Sequence, residues 1–464
     1  MRLLPGIGIA ALLVACTSTA SPSAQSSAQP AGAPAVSTAS VGNAAGAAST
    51  DWRTYHGNVA RTGVSTSMPA AVGNPTIAKA VTLDGAVYAS PIVAKGITIV
   101  ATEHDSVYAF DSAGNQLWVA HLGTASPAAE RPCGNIDPLG ITGTPVYDTS
   151  SGLVFVAPEY SGSPPRHELV GLILATGAVK WHTSIDLPGV DQVAMQERGA
   201  LTVAGGSVWV PFGGLAGDCG NYKGRVVGMA VNGAGSPISY TVPTTREAGI
   251  WTPPGPTVDS TGRMYVAVGN GASGVGDPYD FSDSVLALNT SAQLVDSFSP
   301  TTWASDNAAD KDLGSQGPAI VGQWIFQAGK SGTAYVLRRS ALGGIGGEVS
   351  QAPLCASFGG TAVQNSIVYV PCTDGLRAVK IDSTGHMKVL WHAASTITGS
   401  PVIGGGRIWS LDTHAGVLYG LDPKTGASLG SVSVGAVSRF ATPALSGKYA
   451  LVPTLGGYSI VATS

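Results

Sequence analysis

The chemistry-bearing residues of this chain fall in a few glycine-rich stretches of its central part. Lys330 stands in Ala-Gly-Lys-Ser-Gly, and Asp310 and Asp312 sit two apart ahead of Gly314. Alternating carboxylates before a glycine turn can wrap a hard cation, although no glutamate stands at the twelfth place that an EF-hand loop needs. These two are weak metal candidates, set against a solvated acidic loop that caps a strand. Asp277, Asp280 and Asp283 pose the same question in another glycine-rich loop. The pairs Glu197–Arg198 and Arg246–Glu247 each carry both charges. They could hold a polar ligand or lock neighbouring elements together by salt bridges. Trp251 and Trp303 offer flat faces on which a ring-shaped ligand could stack. The Lys330 stretch lacks the GxxxxGK spacing of a phosphate-binding loop, and no Gly-x-Ser-x-Gly elbow marks a nucleophile.

The elements that position these residues are set by a recurring cassette. Its clearest copies are VYASPIVAKGITIVATEHDSVYAFDSAGNQLW and ITGSPVIGGGRIWSLDTHAGVLYGLDPKTGASL. Each copy holds four short strand signals between glycine turns, and units of this kind stack because none buries its apolar face alone. Sheets of four strands repeated around an axis make a β-propeller. The residue opening each unit is Pro91, Pro145, Ala200, Pro256, Pro318, Thr361, Pro401 and Pro443. The expected fold is therefore all-β: an eight-bladed β-propeller of four-stranded antiparallel blades. The third and sixth units lack the proline, which leaves seven blades as the main alternative. The last unit runs out after three strands, and residues 76–85 read as an orphan strand that completes it and closes the ring.

With strands named a to d from the axis outward, the d-to-a and b-to-c connections emerge on one rim. Long connections are expected there at 122–140, 158–168, 183–198, 213–224, 269–283, 297–316 and 343–357. Rigid scaffolds present binding residues on such loops, so this rim is the expected working face. The ligand-face candidates are Glu197, Arg198, Arg246, Glu247, Trp251, Trp303 and Lys330. Trp118, Trp181 and Trp391, at the ends of repeats, are expected between blades.

Residues 1–16 read as an export signal: Arg2, then a short apolar run ending in Leu13-Val14-Ala15-Cys16. That ending resembles the lipobox of bacterial lipoproteins, which would make Cys16 the lipidated N-terminus. Residues 17–50, rich in Ser, Ala, Thr, Pro and Gly without an aromatic residue, read as a disordered tether, and 51–464 as the propeller domain. The four remaining cysteines, Cys133, Cys219, Cys355 and Cys372, suit disulfides in an exported chain. Their places in the repeats pair Cys355 with Cys372 and Cys133 with Cys219. The net charge of −4, with 11% charged residues, gives no electrostatic reason to expect nucleic acid.

The cassette resembles the repeat of the pyrroloquinoline-quinone-type β-propellers, the quinoprotein alcohol dehydrogenase-like superfamily, over roughly residues 51–464. The opening DWRTYHGNVARTGV is similar to the segment that enters the ring in such proteins. Members range from quinone-dependent dehydrogenases to lipoproteins that only bind other proteins. In the dehydrogenases the resemblance implies a stacking tryptophan, a disulfide between adjacent cysteines, a calcium ion and an aspartate base. Adjacent cysteines are absent here, and no catalytic residue is carried over. The expected function is a lipid-anchored binding or scaffold protein of the cell envelope, facing the periplasm or cell exterior. Its partner would be an envelope protein or cell-surface ligand, and no cofactor is expected. The alternative is an oxidoreductase of alcohols or sugars that uses PQQ (pyrroloquinoline quinone) and calcium.

Overall fold

In the computed structural model, residues 51–463 are described. The signal, Cys16 and the tether lie outside them. Eight four-stranded antiparallel blades follow one another around an axis. Their innermost strands are Ile92–Ala94, Val146–Asp148, Thr202–Ala204, Thr257–Val258, Ala319–Val321, Ala362–Gln364, Val402–Gly404 and Ala444–Ser446. Each starts one or two residues after its predicted opening residue, the third and sixth blades included. The count is eight, and the seven-bladed alternative falls. The eighth blade takes its outer strand from Thr76–Thr82, which pairs antiparallel with Gly457–Ala462. This closes the ring and removes two free edges.

Burial follows position in the blade. Middle strands such as Ser106–Phe110, Met264–Val268 and Ser284–Leu288 are buried at every residue. A neighbouring blade covers each face, so these strands read as continuous small and apolar runs. The outer strand Val179–Ser184 instead alternates towards solvent. Tryptophans link the blades as expected: the indole N–H groups of Trp118, Trp181 and Trp391 donate to Leu174, Val231 and Pro423 carbonyls of the next blade at 3.0, 3.2 and 3.0 Å. Trp324 does the same to Asp382 from a second strand. Gly177 has a φ of +71°, and a Cβ there would lie 2.4 Å from the Trp118 ring. Both the turn and the ring therefore demand glycine.

The opening segment laces the inner strands together. Trp52 exchanges backbone hydrogen bonds with Val93 of the first blade, and Arg53 O accepts from Tyr147 N–H of the second. Val59 O, Thr62 O and Gly63 O accept from Val258, Val363 and Ile403 of the fourth, sixth and seventh. Arg61, buried, donates to Thr54 and to Leu201 O. Burial lowers the pKa of Arg61 to about 9 and that of His56 to about 3, so the imidazole is neutral.

One connection departs from expectation. Residues 343–349 are not one of the connections that run along the working rim, although Gly346 reaches its edge beside Thr301. After strand c of the fifth blade (Thr333–Arg338), the chain leaves by the opposite rim and climbs the outer edge of the fourth blade. There Gly344–Ile345 pairs in parallel with Phe298–Ser299 as a fifth strand. The chain then returns as the short outer strand Ser350–Pro353. The glycine-rich stretch satisfies its backbone on a free sheet edge, and only 354–357 remain in a rim connection.

Both expected disulfides are present. Cys133–Cys219 has its Cα atoms 6.2 Å apart and joins two rim loops, while Cys355–Cys372 spans 5.7 Å beside the sixth blade. The bridges fit folding in an oxidising compartment. No helix among the described residues is long and apolar enough to cross a membrane.

Candidate functional site

A cavity of about 560 Å³ opens at the working rim. Of the sequence candidates, Arg198, Glu247, Trp251, Asp310, Asp312 and Lys330 line it. They arrive from the connections between successive blades and from the b-to-c turns.

The third blade presents Arg198 through an interrupted inner strand. Met195–Glu197 and Thr202–Ala204 both pair with Ser207–Gly214, and residues 198–201 bulge between them. Gly199 sits tight in that bulge, where a Cβ would meet Pro211 at 2.7 Å. The Arg198 guanidinium lies over the rings of Phe440 and Trp251, 4.8 and 5.6 Å from their centroids. Arg439 stacks on Phe358 at 3.9 Å. Neither arginine has a carboxylate within ion-pairing distance among the described residues. Burial lowers Arg198 to about 10, so it stays charged at neutral pH.

The opposite wall is acidic. Lys330 Nζ lies 2.5 Å from both Asp310 Oδ1 and Asp312 Oδ2. Asp312 Oδ1 accepts the Asn270 backbone N–H at 2.7 Å, and Asp310 Oδ1 accepts from Asn270 Nδ2 at 2.8 Å. Asn270 Oδ1 is left buried without a partner. Gly269 makes this possible, because a Cβ there would fall 2.2 Å from Asp312 Oδ1 and 3.0 Å from Trp251 Nε1. Burial raises the Asp312 pKa against the opposing pull of Lys330. Burial also raises Glu247.

The other candidates sit elsewhere. Trp303 is buried in a short helix, edge-on to Tyr279 at 5.2 Å, and anchors its loop rather than facing the cavity. Glu197 is buried outside the lining; its Oε2 accepts the Gly143 N–H at 3.1 Å, and Oε1 has no partner. Arg246 pairs with Glu247 at 3.0 Å and donates to the Gly220 and Asp218 carbonyls. It fastens the loop that the Cys133–Cys219 bridge also holds. Asp277 and Asp280 cap their own loop by accepting from Gly274 and Ser282. Asp283 accepts from the Leu313 N–H.

Asn270, Tyr88, Phe358, Arg439 and Phe440 line the cavity without having been singled out from sequence. A signal existed for three of them. Tyr88, Phe358 and Phe440 each stand three positions before the residue that opens their blade. A column of the aligned repeats would have shown aromatic residues at one shared offset.

The ring and its closing strand define an eight-bladed β-propeller, and part of its repeat is similar to that of the PQQ-like β-propellers. Residues 67–211 match the family described as Outer membrane protein assembly factor BamB. A polyvinylalcohol dehydrogenase of Sphingopyxis sp. (strain 113P3) is 30% identical over 167 residues, which is 30% of this chain and 24% of that protein. The chain thus spans about a quarter of that relative's length. Among solved structures, the quinohemoprotein alcohol dehydrogenase from Comamonas testosteroni superposes with a TM-score of 0.70 at 16% identity, covering 90% of this chain and 81% of the other. A europium-containing methanol dehydrogenase gives 0.69 at 14%, covering 89% and 97%. BamB from Moraxella catarrhalis gives 0.55 at 17%, covering 83% and 97%. At such identities the structures share the fold alone.

Proposed function

We propose that this chain is a quinone-dependent oxidoreductase of hydroxyl-bearing substrates such as alcohols or sugars, with the rim cavity as its site. The observation that carries this is Asn270 Oδ1, a buried amide oxygen without a partner, on the residue whose N–H groups hold the carboxylates of Asp310 and Asp312. A hard cation is recognised by oxygen donors of this kind. Trp251 offers a flat face. Arg198 and Arg439, without ion-pair partners, suit the carboxylates of pyrroloquinoline quinone. The residues present therefore fit the quinone and its cation, with Asn270 and Asp310 as oxygen donors. The bridge between adjacent cysteines has no counterpart.

When bound, the quinone supplies the two-electron acceptor. The chain's own part is to hold and move a proton. Burial raises the pKa of Asp312 and makes it a stronger base than a free carboxylate, which suits it to take a proton from a substrate hydroxyl. Lys330 keeps that carboxylate in place and neutralises it between turns. Trp251 and Phe440 keep water from one face of the site.

The test is addition of PQQ and calcium to the purified chain, followed by an absorbance scan and dye reduction with an alcohol panel. Uptake of the chromophore with quenched tryptophan fluorescence is expected, and Trp251→Ala should lose it. Asp312→Asn should keep the chromophore while dye reduction falls by roughly 100-fold or more. Absence of uptake and of dye reduction would overturn the proposal.

The match of residues 67–211 to the BamB family favours a second reading, a scaffold in the cell envelope anchored through a lipid on Cys16. Crosslinking in cells should then recover an envelope partner that is lost when 122–140 and 297–316 are trimmed. Recovery unchanged by both trims would count against this rim.

A further inference from the structure

The wall of the main cavity is uneven. The b-to-c turns of the sixth and seventh blades and the link between them contribute no lining residue. Those turns are short, joining Ile367–Val370 to Arg377–Ile381 and Arg407–Asp412 to Val417–Leu421. The rim is low there. In that sector a second cavity of about 240 Å³ opens, and Phe358 and Arg439 line both. Their stacked pair, 3.9 Å apart, forms a threshold rather than a wall between separate sites.

The second cavity is rich in hydroxyls. Thr373, Thr398, Ser400 and Thr413 line it. Ser400 Oγ accepts the Gly360 N–H at 3.0 Å. The Thr398 and Thr413 hydroxyls make one long contact at 3.4 Å, and that of Thr373 has no partner among the described residues. Hydroxyls set among methyl groups, a proline and a disulfide suit a ligand in which carbon and hydroxyl alternate. Free carboxylates are absent from this lining, so a cationic ligand has no partner in it.

We infer that the second cavity is a subsite for the continuation of a chain bearing repeated hydroxyl groups, which leaves the main cavity over the low rim. Which end of such a chain reacts rests on the oxidoreductase proposal; its binding does not. The purified full chain, without cofactor, would be titrated with linear 1,3-polyols of one to eight carbinol units and with glucose oligomers of matching length. Saturation-transfer NMR and calorimetry would follow binding. In at least one series, affinity should rise at least tenfold from one unit to a length that spans both cavities, then level off. The series that gains identifies the source of the hydroxyls. Thr373→Trp and Thr413→Trp, each checked for an unchanged melting temperature, should abolish the gain with length. In quinone-loaded protein, their dye reduction with a single short alcohol should stay as in the parent. Affinity independent of length in both series, or a gain that survives both fillings, would overturn the subsite. Length-dependent binding without any dye reduction would leave the subsite standing and remove the oxidoreductase proposal alone.

Discussion

Two acid-rich clusters lie on neighbouring arcs of the ring and meet opposite fates. On the cavity wall, Asp310 and Asp312 share Lys330, and the three groups reach solvent to different degrees. Inside the first three blades, Glu103, Asp105, Glu159, Asp186 and Glu197 gather around one histidine. His167 lies 3.2 Å from Glu159 and 2.8 Å from Asp186. Burial pulls the His167 pKa down, but hydrogen bonds and charge from Asp186 and Glu159 overrule it and raise it to about 10. His167, with Arg198 acting on Glu103 and Glu197 from the cavity side, cannot neutralise five carboxylates. Burial accordingly raises Glu103 to about 7 and Asp105 to about 9, helped by their neighbours, and drives Glu197 well upward. Both Asp105 oxygens lack a partner. At the rim a lysine opposes the effect of burial on Asp312, whereas in the body Asp105 and Glu103 have no cation in contact and burial drives them upward.

The sharpest way to break this contrast is His167→Ala. It strips Asp186 and Glu159 of a cation that is only 1% exposed, and a cost of about 3–5 kcal/mol is expected in denaturant melts. The partnership also has a pH signature. With a folded pKa of about 10 against 6.5, the stability it lends is complete below pH 6.5 and lost as pH climbs towards 10. Next in size is Lys330→Met at the rim, which leaves the buried Asp312 without its cation. About 2–3 kcal/mol should be lost, less than for His167 because Lys330 and Asp310 are partly hydrated. A larger loss for Lys330→Met than for His167→Ala would reverse the comparison.

The sequence shows the scaffold more plainly than the site, for a physical reason. Blade-opening prolines, turn glycines and the terminal tryptophans act through contacts that repeat at fixed spacing, so they can be read locally. The two disulfides could be paired because strand ends in one blade, and loops on one rim, must come close. The cavity is assembled across blades far apart in the chain. Asn270 matters only because its neighbours are Asp310 and Asp312, which no local pattern reveals. Trp303 looked like a stacking residue because its loop is on the right rim, but packing against Tyr279 turned it inward. Residues 343–349 misled in another way: a run of glycines reads as a loop, and a free sheet edge converts it to a strand.

A smaller effect separates the clusters by sign. Asp105 is protonated in the fold up to about pH 9, whereas an unfolded aspartate loses its proton near 3.8. Between those values the folded state holds the extra proton, so stability falls as pH rises through that window. Glu103 adds to the fall between 4.5 and about 7. Melting temperature should therefore decline from pH 5 to pH 9, and Asp105→Asn should flatten the slope while leaving the protein at least as stable at pH 8. An unchanged slope in the variant would mean that this carboxyl is already ionised.

The rim offers the weakest effect, and it discriminates all the same. Asp310 is 77% exposed at its side chain, so Asp310→Asn should cost no more than about 0.5 kcal/mol. Its consequence for a bound cation should be out of proportion to that cost, because the variant removes a charged oxygen next to the Asn270 side chain without disturbing the fold. Calcium titration in the presence of PQQ, followed by tryptophan fluorescence, should show at least tenfold weaker uptake in the variant at an unchanged melting temperature. If uptake is unaffected, Asp310 is a solvated partner of Lys330 and nothing more, and the oxygen donors must be sought among Asn270 and Asp312 alone.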